Sequence, residues 1–230
     1  MDPADRFAQV TNGPAGAVQL DEWAALIGAA FEWHAGPSAD HPTTDVVDEV
    51  VAALDRLAAE CGPDLESVMQ RLFGPAGLRG NVHDYGDPRN SYLHQVLRRG
   101  MGIPITLSVV AIEVGRRVGL PIRGVGLPAH FVIECEGRFA NPFLGPMLYG
   151  PDEIEGVWQR ATGIQQSLDP RLLGPVSSRS IVLRMLNNLK NTFVAMDDPV
   201  PLRTLARLRE AFVELAAERA EHARWLRHWN

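Results

Sequence analysis

Two cysteines, Cys61 and Cys135, are too few to staple a fold or to build a cysteine-based zinc site. Lysine is nearly absent: Lys190 is the only one, and arginine supplies the rest of the 22 basic side chains. Those 22 are outnumbered by 28 acidic residues, for a net charge of −6. With no basic excess to displace phosphate counterions, the composition argues against nucleic acid as a partner. No apolar run approaches the roughly 20 residues of a membrane span. The opening MDPADRF also lacks the basic-then-apolar order of a secretory leader. No membrane partner is therefore expected, and a cytoplasmic location is. What remains is ordinary globular composition, 46% hydrophobic and 22% charged over 230 residues, long enough to bury a substantial core.

Helical spacing of apolar residues runs through LDEWAALIGAAFEWHA and stops at Gly36-Pro37. A second helix follows in PTTDVVDEVVAALDRLAAECGPD and a third over Leu65 to Phe73. Gly74 to Pro88 reads as loop, and SYLHQVLRRG as a short helix with Gly100 at its end. Next, ITLSVVAIEVGRRVG is apolar on more than one face, the mark of a central, buried helix. Pro104 suits its first position, where the missing N–H costs nothing, and Gly119 suits its left-handed end.

After Gly119 the period switches to two. PIRGVGL, HFVIEC and RFANPF read as strands, with Glu136-Gly137 as a two-residue hairpin turn. Beyond Asp152 helices return. Ile181 to Val194 and Leu202 to Trp229, separated by DDPVP, predict an antiparallel helix pair that resembles one tetratricopeptide-like unit.

The hairpin carries a geometric consequence. Positions equidistant from the turn face one another, so Asn141 lies opposite Val132, with His130 two residues along on the same face. Such diagonal pairs are about 7–8 Å apart at Cα, within reach of longer side chains. Cys135, an odd number of residues from His130, projects to the other face. A buried helix, a strand with His and a strand with Asn or Asp form the layout of a papain-like or transglutaminase-like site. In such a site a cysteine at the helix start is the nucleophile, the imidazole is its base, and Asn or Asp orients the ring.

The segment DPRNSYLHQVLRRGMGIPITLSVVAIEVGRRVGLPIRGVGLPAHFVIE, with ANPFLG after it, resembles the SirB1 family of transglutaminase-like proteins. The resemblance is strongest from Leu78 to Gly163. It implies an α+β fold, mostly helical: a transglutaminase-like (papain-like) core with a small antiparallel sheet packed on a central helix, plus a C-terminal helical hairpin. It divides the chain into a helical part over residues 1–77, the core over 78–163 and the tetratricopeptide-like pair over 164–230, packed as one unit. Active transglutaminase-like proteins would carry their cysteine at about Pro104 or Ile105, neither of which can be a nucleophile. His130 falls on the catalytic histidine position and Asn141 on that of the orienting aspartate. Here the chain departs from the usual SirB1 pattern, with NPF in place of DPF.

Other candidates follow from residue type and place. Ser108, one turn beyond Pro104, is a candidate nucleophile toward which His130 could act as base; Thr106 is expected to bond the first-turn backbone. Glu113, the one acid in the apolar helix, is expected to form a structural ion pair with an arginine such as Arg89, Arg98 or Arg123; the alternatives are a catalytic acid or a binding residue of a pocket near His130. Asn90 or Ser91 is expected to cap the helix after DPRNS, and Arg89 and Asn90 are candidate binding residues. His34, Asp40 and His41 are weak metal ligands, more simply exposed, and neither a metal nor a cofactor is expected. Trp225 and Trp229 are expected to pack on the core or to mark a partner surface.

Two functions of different class follow. One is a non-catalytic protein- or ligand-binding, regulatory module with a protein or peptide partner, or a small-molecule ligand. The other is a hydrolase or acyltransferase using His130 as base with water or Ser108.

Overall fold

The computed structural model describes residues 1–14, 19–34, 44–196 and 198–218. Its first helices, α1 (Pro3–Asn12), α2 (Leu20–His34) and α3 (Thr44–Ala59), are followed by α4 (Leu65–Phe73), which Asp64 caps by accepting the Ser67 amide. Helix α5 (Leu93–Arg99) leads into the central α6 (Pro104–Val118). Ile103 is extended, Pro104 takes the first helical position, and the helix ends at Gly119 with φ +82°, a conformation that L residues avoid.

Eleven of the fifteen residues of α6 are buried, which makes it the axis of the molecule. Helices α2, α3, α4 and α5 pack around it. Each fully buried Leu or Val, such as Leu107, Val109, Val110 and Val114, contributes about 1.5–3 kcal/mol. The apolar cluster it anchors runs from Phe7 in α1 to Phe212 near the end of the described chain.

Two short strands, β1 (Arg79–Gly80) and β2 (Met101–Gly102), pair in parallel ahead of α6. The main sheet is antiparallel in the order β3 (Arg123–Leu127), β4 (His130–Cys135), β5 (Arg138–Ala140), β6 (Leu148–Tyr149). In the β4–β5 hairpin Cys135 faces Arg138, Glu134 faces Phe139 and Ile133 faces Ala140. Its turn residues Glu136 and Gly137 have φ +50° and +81°, as a two-residue turn of this hand requires.

The pleat divides the sheet. Phe131, Ile133, Cys135 and Ala140 join the cluster built on α6. Val125, Leu127, Val132 and Phe139 form a second, smaller cluster with Ile154, Val157 and Trp158 of α7 (Ile154–Thr162). The sheet thus lies between α6 and α7.

Helices α8 (Ser178–Met196) and α9 (Pro199–Glu210) pack on each other. They also pack on the rest: α8 against α2 and α6, α9 against α1 and α2. The expected helix from Leu202 to Trp229 is corrected, because α9 stops at Glu210 and a 3-10 stretch occupies Val213–Glu218. Tertiary packing accounts for the break. The turn at Ala211 drops Phe212 between Phe7 and Trp23, with ring centroids 6.0 and 6.1 Å away. Trp225 and Trp229 lie outside the described residues.

Candidate functional site

The β4–β5 register, continued by one pair, places Asn141 opposite Val132, and the diagonal contact with His130 is made. Asn141 Nδ2 lies 2.8 Å from His130 Nε2, and both side chains are buried. The direction of this bond is fixed by a third group. Asn141 Oδ1 accepts the Phe143 amide at 3.2 Å, which leaves the Nδ2 amino group toward the ring. An amino group can only donate, so His130 Nε2 is the acceptor and the ring proton sits on Nδ1. Burial, with the Arg184 cation adding to it, holds the imidazole below its ordinary pKa. The pair is therefore a neutral histidine whose basic nitrogen is already occupied.

The start of α6 presents no nucleophile. Thr106 Oγ1 accepts the Ile103 amide and donates to the Asn90 carbonyl at 2.7 Å. Ser108 Oγ is buried without a hydrogen-bond partner, so it bonds neither His130 nor Asn141. Register adds to this separation. Leu127 and His130 are paired neighbours on the face that α7 covers, whereas Phe131, Ile133 and Cys135 face α6. Burial pushes the Cys135 thiol up, away from a reactive thiolate.

Three expectations are corrected. Glu113 pairs with the arginines that follow it on its own helix, Arg116 at 2.8 Å and Arg117 at 3.0 Å. Arg117 also reaches Asp21 of α2 and Asp55 of α3. The proposed partners are engaged elsewhere: Arg89 with Asp87, Arg98 with Glu49 and Arg123 with Glu134. Burial and the neighbouring Asp21 raise the Glu113 pKa against the pull of the two arginines.

The helix after DPRNS, α5, is capped by neither Asn90 nor Ser91: its N-cap is Tyr92, without a side-chain bond, and Asp87 instead caps the preceding 3-10 turn by accepting the Arg89 amide. Asn90 is fully buried and instead ties down the preceding loop, donating to the Asp84 carbonyl and accepting from Asn81. The third correction concerns Arg89 and Asn90 as a binding pair: one side chain faces solvent beside Asp87 while the other is closed inside the loop.

Two polar features escaped the sequence reading. His94, buried in α5, meets Glu32 of α2 with Nε2 2.7 Å from Oε1, and its Nδ1 has no partner. Arg184 of α8 crosses to the β3–β4 turn, where one amino group donates to the Leu127 and His130 carbonyls at 2.5 and 2.6 Å. The available signal was a polar patch, Arg184 with Asn187 and Asn188, on an otherwise apolar helix. Among the described residues no group of three His, Cys, Asp or Glu could hold a metal. Asp40 and His41 lie outside those residues, as does the side chain of His34.

A mostly helical α+β chain with a buried helix preceding a His–Asn hairpin has the organisation of the transglutaminase-like class. Residues 42–187 match the family model described as the transglutaminase-like superfamily, and the chain belongs to it. A UPF0162 protein of Xylella fastidiosa (strain Temecula1) is 36% identical over 140 residues, covering 58% of this chain and 50% of that protein. A UPF0162 protein of Pseudomonas aeruginosa is 28% identical over 194 residues, 80% of this chain and 70% of its own length. F-box only protein 21 of Mus musculus is 30% identical over 131 residues, 54% of this chain and 21% of that protein. The chain spans about half the length of the Xylella relatives it matches. No solved structure matches it. Among the described residues no helix is long and apolar enough to cross a membrane.

Proposed function

We propose that this chain is a non-catalytic member of the superfamily, a transglutaminase-like fold retained as a protein- or ligand-binding, regulatory module. The observation that carries the reading is the direction of the Asn141–His130 hydrogen bond. A general base needs a free lone pair within reach of the proton it takes. Here the Nε2 lone pair accepts from Asn141, and Nδ1, which carries the proton, can only donate. Pro104 at the helix start and a partnerless Ser108 supply no group for such a base to activate.

The motifs DPRNSYL, GIPI and GLPAHF resemble those of the SirB1 family and support reading the chain as part of that lineage. The relatives support a modular role, since the matched segment forms a fifth of one protein and about half of another. The C-terminal helices α8 and α9, as a tetratricopeptide-like pair, offer a surface for a protein or peptide partner.

The test is turnover. The purified chain is incubated with glutamine-donor peptides, activated esters and amides, and separately with serine- and cysteine-directed electrophiles. No turnover above background and no labelling of Ser108 are expected. Hydrolysis or acyl transfer that disappears in His130→Ala would replace this reading with the hydrolase or acyltransferase one.

A further inference from the structure

Beside the β3–β4 turn lies an open cleft of about 580 Å³, the volume of a small-ligand site. Pro128, Leu172 and Leu183 give it an apolar wall. Arg184 is the only charged residue among those that line it, and no carboxylate pairs with that guanidinium among the described residues. An arginine has five N–H donors. Nη2 spends its two hydrogens on the Leu127 and His130 carbonyls, which leaves Nε–H and the Nη1 amino group uncommitted. Gly126 makes room for that amino group: a Cβ there would stand 3.2 Å from Nη1. Asn188, one turn along α8, adds an uncommitted side-chain amide to the same wall.

The cleft floor is held in place from two sides. Trp158 Nε1 donates to the Pro128 carbonyl at 2.8 Å, while Arg184 holds the carbonyls on either side of the turn. Between them Ala129 is kept at φ +54°, a conformation that costs an alanine about 1–2 kcal/mol. Backbone strain that persists under such clamping collects at functional positions.

We propose that this cleft binds an organic carboxylate, its single negative charge on Arg184 and Asn188 and its apolar body against Pro128, Leu172 and Leu183. One cation suits a monoanion; a phosphate dianion would leave charge unmet. A free carboxylic acid and the C-terminal carboxylate of a peptide share this chemistry. The assignment rests on the binding reading above and names the ligand class for it.

The full chain is titrated with hexanoate and with N-acetyl-leucyl-leucine, each against its uncharged amide, while backbone amide resonances are followed. Both acids are expected to shift the amides of Gly126, Leu127 and Ala129 and of residues 184–188, with the uncharged amides at least about tenfold weaker, as loss of a charge-assisted bond implies. The tighter of the two acids identifies the source. Asn188→Asp, which touches none of the bonds holding the turn, is expected to weaken the acids by about tenfold or more through charge repulsion. Equal binding of acid and amide overturns the proposal. So do shifts that map elsewhere, an Asn188→Asp affinity within about twofold of the parent, or no shift at about 10 mM. Turnover of a substrate would sink the non-catalytic reading and leave this site standing; loss of acid-over-amide selectivity would do the reverse.

Discussion

Asn141 presents its amino group, not its carbonyl, to His130, because the Phe143 amide holds Asn141 Oδ1. A papain-like orienting asparagine needs the opposite sense, accepting a ring N–H so that the other ring nitrogen stays basic. The difference is one amide rotation, and it decides whether the imidazole is a base or a neutral donor.

The first prediction concerns that ring. Two-bond proton–nitrogen correlations on His130 should show the proton on Nδ1 at neutral pH. Because the folded pKa lies below the unfolded value of about 6.5, the unfolded chain takes up a proton that the folded one refuses. The stabilisation is thus complete above about pH 6.5 and is lost as pH falls from there toward the folded pKa. Thermal midpoints taken between neutral and mildly acidic pH should fall more steeply for the parent than for His130→Gln. A proton on Nε2 would mean that Asn141 is turned and the base is free; equal slopes would mean that burial does not lower the His130 pKa.

Ser108 gives a prediction of opposite sign from that expected of a nucleophile. Its hydroxyl is buried and unpaired, and such a group costs about 1–3 kcal/mol to desolvate. Ser108→Ala should therefore leave stability unchanged or raise it by up to about 1 kcal/mol in urea unfolding. A loss of stability would show that the hydroxyl has a partner after all.

How much of this was legible before the structure depends on the range of the interactions. The β4–β5 register follows from Glu136-Gly137, since that dipeptide admits few turns, and the approach of Asn141 to His130 follows from the register by counting. Glu113 had its partners in view at i+3 and i+4, yet an apolar helix directed attention to distant arginines. Arg184 was beyond reach, because its role exists only once α8 docks against a turn more than fifty residues away. The end of α9 was equally hidden: the helical period continues past Glu210, and the stacking of Phe212 on Trp23 overrides it.

The Asp21–Arg117–Glu113 group separates two kinds of substitution. Arg117→Met removes the more buried of the two arginines that Asp21 and Glu113 share, leaves only the half-exposed Arg116 between them, and should cost about 3 kcal/mol. Glu113→Gln keeps an acceptor for the arginines and removes a charge that burial already disfavours, so its cost should stay within about 1 kcal/mol. Urea midpoints of the two variants test this; equal losses would mean that the carboxylate charge itself is needed.

Gly28 sits inside α2, where an alanine would ordinarily stabilise a helix by about 1 kcal/mol. Here the ring of His94 lies against the glycine. A Cβ at residue 28 would stand 2.6 Å from His94 Cε1, 2.7 Å from Nδ1 and 3.0 Å from Tyr92 Cβ. The ring cannot retreat without giving up Glu32, and it is stacked parallel to Tyr92 at 6.3 Å. Overpacking of this kind costs about 1–3 kcal/mol, and the broken His94–Glu32 bond adds to it, so the helix propensity gain is outweighed. Gly28→Ala should therefore lower stability by about 1–2 kcal/mol net. His94→Ala in the same background should recover part of that loss, because it removes the ring that the methyl strikes. A Gly28→Ala variant more stable than its parent would show that α2 and α5 can slide apart, and that the His94–Glu32 contact is not what sets their spacing.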